Sequence, residues 1–123
     1  MIIAVDPDHP LPVYEQVREQ VVRMVAAGTL QAGVRLPTIR QLALDLGLAK
    51  GTVAKAYELL ESDAVIETRG RKGSYVLEMQ PVTAREQRTG LREAADSLVI
   101  VARQLGADEA AAVAALRDAW ARL

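Results

Sequence analysis

Tyr14, Val17, Val21 and Val25 recur at helical spacing, with Glu15, Arg18, Glu19 and Arg23 off that face. The pattern predicts an amphipathic helix that buries one stripe. Pro10 and Pro12 bracket its entry, where proline is tolerated, and Gly28 supplies a stop. The apolar MIIAV ahead of it reads as a short strand or an ordered arm, and TLQAGVRLP, punctuated by Gly33 and Pro37, as a loop.

Two short helices follow. Thr38 and Gln41 have the spacing of a capping box, and Leu42, Ala43 and Leu46 line one face of the helix they open. Gly47 ends it and permits a sharp turn. The next helix runs from about Lys50 to Ser62 with Val53, Ala56, Tyr57 and Leu60 inward. Ala49 stands at its cap position, where a missing side-chain acceptor costs about 1 kcal/mol. Val65, Ile66 and Thr68, then Ser74, Tyr75, Val76 and Leu77, favour strands. RGRKG between them is a hairpin loop with two glycines for positive φ.

Pro81 marks a boundary. Thr83 and Glu86 form a second capping box, opening a helix expected to reach Leu105 through Gly90. Leu91, Ala95, Leu98, Ala102 and Leu105 keep its period. Gly106 stops it, Asp108 caps the last helix, and Val113, Leu116, Trp120 and Leu123 stripe that one. The fold class expected is mainly α with a small β wing: a winged helix-turn-helix over residues 1–80 and a two-helix tail over 81–123.

A helix that can lie in a groove, beside a cationic hairpin, is an arrangement for holding duplex DNA. The face of the third helix opposite its apolar stripe shows Gly51, Ala54, Lys55 and Glu58, with Lys50 and Thr52 at its start. Lys50 suits guanine O6 or N7, Thr52 a phosphate or thymine methyl, and Gly51 allows close backbone approach. Arg40 lies in the first turn of the second helix, where backbone N–H groups favour a phosphate. Arg69 and Gly70 suit a minor groove, and Arg71 and Lys72 phosphates. A lone surface Lys or Arg is usually only a solvated charge. Several on one side of one motif argue for more. Glu58 repels phosphate and is not counted.

The formal net charge is −1, whereas nucleic-acid-binding domains are usually basic. From Arg35 to Lys72, however, seven Lys/Arg face five Asp/Glu. Half the residues are apolar and there is no Phe, so the core is built from Leu, Val, Ile and Ala. No cysteine is present, which excludes disulfides and thiolate metal sites and fits a reducing cytoplasm, the expected location. No apolar run approaches the roughly 20 residues of a membrane span, and MIIAV lacks the order of a signal peptide. His9, the only histidine, has just Asp6 and Asp8 as local carboxylates, so no metal site and no cofactor are expected. RGRKG lacks the spacing and setting of a phosphate loop. With no nucleophile–base set either, an enzyme is not expected.

LPTIRQLALDLGLAKGTVAKAYELLE followed by VIETRGRKGSYV closely resembles the winged-helix domain of GntR-family bacterial regulators. The likeness extends upstream through LPVYEQVREQVVRMVAAGTLQAGVRLP, covering roughly Pro10 to Val76. It implies operator contacts by Arg40, Lys50, Thr52, Arg69 and Gly70. Three positions depart from the family pattern. Ala49 replaces a frequent Ser or Thr cap, Ala54 stands where some members carry a second basic residue, and Ala64 replaces a common Gly. The 43 residues after Gln80 resemble the tail of the YtrA-type subfamily, whose members often repress ABC transporter operons.

Leu91, Leu98, Val101, Leu105, Val113, Leu116 and Trp120 together place on the order of 10 kcal/mol of transfer free energy at stake. Two helices cannot cover all of it between themselves. The expected cover is the same tail of a second copy, with Leu91, Leu98, Leu105, Val113, Leu116 and Trp120 at the interface. The alternative is that the tail folds back onto its own winged helix. The function expected is therefore a homodimeric transcription regulator, a repressor, on a palindromic operator near its own operon. A small-molecule effector has no residue cluster to name it, and no membrane partner is expected. The rival reading is a winged helix used for protein interaction without DNA, favoured by the acidic net charge, Ala54 and Glu58.

Overall fold

The computed structural model describes residues 1–78 and 82–123. Pro81, read above as a boundary, lies outside the described residues. The chain divides into two units, before and after that segment.

In the first unit the helices are α1 (Val13–Ala26), α2 (Ile39–Leu46) and α3 (Lys50–Ser62), and the wing is β1 (Ile66–Thr68) and β2 (Ser74–Val76). Helix α2 begins on Thr38, whose side chain accepts from Gln41 N–H while the Gln41 side chain accepts from Thr38 N–H. It ends on Gly47 at φ 66°, the left-handed conformation glycine adopts without steric cost. Helix α3 starts on Ala49 with no side-chain cap. Its four apolar positions, Val53, Ala56, Tyr57 and Leu60, are all buried, packed between α1, α2 and β1. Val17 and Val21 of α1 meet them fully buried, with Tyr14 and Val25 partly so. Tyr57 donates its hydroxyl proton to Pro37 O at 2.7 Å, tying α3 to the entry of α2. Burial pushes that phenol up to about 12.

The strands pair antiparallel in the register Ile66↔Val76, Glu67↔Tyr75 and Thr68↔Ser74. Ile66 and Val76 are both buried, which roots the wing in the core. Val65 and Leu77, expected within the strands, lie just outside them, although Leu77 N–H still donates to Val65 O. The RGRKG loop contains one turn of 3-10 helix, Gly70–Lys72, with Gly70 at φ 56° and Gly73 at φ 98°. Ala64 sits at φ 55°, so the departure from glycine there does strain the turn into β1.

One expectation needs correction, and one open alternative is decided in favour of the ordered arm. The loop over TLQAGVRLP ends in a segment that pairs with β2: Leu36 N–H donates to Ser74 O, Val76 N–H to Val34 O, and Gly33 N–H to Val76 O. The second edge of β2 supplies hydrogen-bonding groups that this segment satisfies. MIIAV is an arm without a strand. Ile3 is buried, and Gln20 brackets Ala4 by accepting from its N–H and donating to its O. Buried Gln16 does the same at Asp6 and also donates to Leu11 O. Two glutamines thus take the place of a pairing strand.

The second unit is α4 (Ala84–Gln104) and α5 (Glu109–Arg122). The Thr83–Glu86 capping box is formed in both directions, and Asp108 caps α5 through Ala111 N–H. Ala102 is the only buried residue of this unit among those described. Leu98, Val99, Ala102, Val113 and Leu116 line a groove of about 430 Å³ between the helices. Leu91, Ile100, Val101, Leu105, Leu116 and Trp120 are exposed, Trp120 to 83%. No helix among the described residues is long and apolar enough to cross a membrane.

Candidate nucleic-acid interface

The candidate contacts come from three backbone features. Arg40 lies in the first turn of α2, one residue after Ile39 begins the helix behind its capping box. Lys50, Gly51 and Thr52 are the first turn of α3. Sinking Val53, Ala56, Tyr57 and Leu60 into the core leaves Lys50 and Gly51 exposed and Thr52 half-buried. A side-chain carbon at Gly51 would meet no atom within 4 Å, so packing does not require glycine there. Arg69, Gly70, Arg71 and Lys72 form the wing turn and are all exposed.

The charges are not equivalent. Arg40, Lys50, Arg71 and Lys72 make no ion pair among the described residues. Arg69 pairs through Nε with the Glu67 carboxylate, and its guanidinium carbon lies 4.4 Å over the Tyr75 ring. Lys55, grouped with the DNA-facing residues above, places its ammonium 4.0 Å over the Tyr14 ring of α1. There a hydrogen bond from Arg18 holds the Glu15 carboxyl below its ordinary range, and the Lys55 charge adds to the shift. Lys55 therefore joins α3 to α1 through a cation–π contact.

Three residues that the sequence pattern does not single out shape this surface. Glu61, in the last turns of α3, accepts from Thr68 N–H at 2.9 Å and so couples the wing to that helix. Arg35 pairs with Tyr75 across the extra edge of the wing. Its guanidinium occupies the space beside Gly73, where an added side-chain carbon would lie 2.9 Å from Arg35 Nε. The Tyr75 hydroxyl donates to Lys72 O and braces the turn. The short VRL alternation before Pro37 is the available signal for Arg35, too brief to separate from a loop.

In the N-terminal arm, His9 Nδ1 accepts from Leu11 N–H and Asp6 Oδ1 from Asp8 N–H, closing the turn on itself.

A three-helix scaffold with a short hairpin wing, exposing a basic helix start and a basic turn, defines a winged helix-turn-helix regulator. Residues 13–76 match the family model "Bacterial regulatory proteins, gntR family". The chain is 45% identical over 104 residues to the HTH-type transcriptional regulator Rv1152 of Mycobacterium tuberculosis, covering 85% of this chain and 82% of that protein. It is 33% identical over 108 residues to the HTH-type transcriptional repressor YtrA of Bacillus subtilis, covering 87% and 83% respectively. The solved structure of YtrA from Sulfolobus acidocaldarius, a GntR-family transcription factor, superposes with a TM-score of 0.63 at 34% identity. It covers 87% of this chain and all of that one. The protein belongs to the GntR family and is similar to its short YtrA-type regulators over most of its length. It is a DNA-binding transcriptional regulator and not an enzyme.

Proposed function

We propose that the protein is a homodimeric repressor that binds a palindromic operator near its own operon, an ABC transporter operon being the type suggested by its subfamily. In this reading residues 1–80 are the DNA-binding domain and residues 81–123 the dimerisation tail. Lys50, Gly51 and Thr52 read the major groove, Arg40 grips a phosphate, and Arg69 to Lys72 reach the adjacent backbone and minor groove. Lys55 stays in this set through its exposed position, its ammonium shared with Tyr14.

The observation that carries the reading is the division of α3. One face is wholly buried, and the start of the other is cationic, exposed and unpaired among the described residues. Exposed Leu91, Leu105, Val113, Leu116 and Trp120, with half-buried Leu98, support pairing of tails through these residues. Two-fold pairing would set two α3 helices against half-sites about 34 Å apart. The name of the Bacillus relative, a repressor, supports repression over activation. Such a regulator works in the cytoplasm, with the chromosome.

The test is a titration against the intergenic DNA upstream of its own gene and a scrambled control, over a salt series. Saturable binding of two protomers per site, preferring the native fragment, is expected. Arg40→Ala should flatten the log K against log salt slope by about 0.9 for each phosphate that is no longer neutralised. Binding of one protomer per site, or equal binding to both fragments, would overturn the proposal.

A further inference from the structure

Glu67, Arg69 and Tyr75 share the outer face of the wing. Glu67 and Tyr75 are direct cross-strand partners, and Arg69 follows Glu67 by two residues, which returns its side chain to the same face. The Glu67 carboxylate accepts from Arg69 Nε while the Tyr75 ring lies beneath the guanidinium. Arg71 and Lys72, in the same turn, have no carboxylate partner among the described residues. Of the wing cations, the one nearest the strand is therefore neutralised from within.

We infer that Glu67 is an intramolecular stand-in for phosphate, occupying Arg69 in the free protein and competing with DNA for it. The inference rests on the reading of Arg69 as a wing contact. Carboxylate and phosphate oxygens suit the same guanidinium donors, so both cannot use the Nε edge at once. When DNA takes Arg69, the Glu67 carboxylate is left to solvent and a counter-cation. Part of the counterion release from the phosphate is thereby cancelled. Tyr75 touches the face of the guanidinium rather than its edge, so it keeps Arg69 in place through the exchange. Glu67 thus weakens binding and makes it less salt-dependent than the number of wing cations implies. Both side chains are about half exposed, which leaves the pair open to exchange without opening the core.

The experiment compares wild type, Glu67→Gln, Arg69→Met and the double variant. Each is titrated by fluorescence anisotropy with a labelled mixed-sequence duplex of about two helical turns, over a potassium chloride series. Glu67→Gln should bind about two- to five-fold more tightly at low salt, the span of an exposed ion pair. Its salt slope should steepen by up to about 0.9 per wing engaged. In the Arg69→Met background the same change should leave affinity and slope unaltered. Weaker binding by Glu67→Gln would overturn the inference, because Glu67 would then be orienting Arg69 for DNA. An equal gain with and without Arg69 would also overturn it, leaving only general repulsion. If Arg69→Met alone changes neither affinity nor slope, the reading of Arg69 as a contact fails, a result separate from the other two. Circular dichroism melts of the four proteins confirm that each retains its fold.

Discussion

The winged-helix unit and the tail use the same kind of side chain in opposite ways. In the first, Val17, Val21, Val53, Leu60 and Ile66 are sealed from water, and no buried side-chain polar atom among the described residues lacks a partner. In the second, helices just as well capped leave Leu105 78% exposed and bury only Ala102. Capping and periodicity are thus sufficient to form a helix but not to satisfy it. The winged helix completes its own core, while the tail carries an apolar surface whose cover we propose to be a second copy.

That contrast can be broken at either end. The largest effect is expected from charging the tail: Leu116→Glu with Trp120→Glu removes about 1.5–3 kcal/mol of burial per residue in each copy. Light scattering should then report the mass of one chain, with the winged-helix fold intact by circular dichroism. A dimer that survives both charges would remove this interface. Next in size is one substitution made in both units. Leu60→Ala should cost about 2–5 kcal/mol by chemical denaturation, because it opens a cavity in a closed core. Leu105→Ala should do little to the first unit and act instead on self-association, read from the dilution dependence of the mass. Equal destabilisation by the two would erase the distinction.

Tyr57 sharpens the comparison through pH. Its phenol stands at about 12 in the folded chain against an ordinary value of 10.0. A group raised on folding contributes stability that is complete below its unfolded pKa and is lost as pH rises through the folded one. Stability of the winged helix should therefore fall between about pH 10 and 12, by on the order of 3 kcal/mol. Tyr57→Phe should abolish that alkaline loss and, by removing the hydrogen bond to Pro37 O, cost about 1 kcal/mol at neutral pH. An alkaline decline unchanged in Tyr57→Phe would count against the assignment.

The smallest effect is a gain. Ala64 holds φ 55°, which costs an L-residue roughly 1–2 kcal/mol and glycine little. Ala64→Gly should stabilise the winged helix by about 0.5–1 kcal/mol after the greater freedom of glycine in the unfolded chain is counted. Differential scanning calorimetry would show the melting temperature rising by a few degrees, and a fall would mean that the turn is held by interactions glycine cannot make.

The features that could be read from residues alone are those whose causes lie within one helical turn. Thr38 with Gln41, Thr83 with Glu86, Asp108 and the left-handed Gly47 act within four residues of themselves; α2 begins and ends, and α4 and α5 begin, where those residues direct. The buried face of α3 was likewise present in its period, and the three wing cations in one short loop. Tertiary structure decided what depends on groups far apart in the chain. The pairing of residues 33–36 with β2 needed an open strand edge about forty residues away. Gln16 and Gln20 could be known as clamps only once the arm lay across α1. Lys55, DNA-facing by helix period alone, met Tyr14 only when α1 packed against α3, and Arg69 looked free until the register set Tyr75 opposite Glu67. Local hydrogen bonds and periodic burial determine which elements form, because their partners are always nearby. Which charges remain free for another molecule is determined by long-range packing, because a side chain's partner is fixed only when the elements meet.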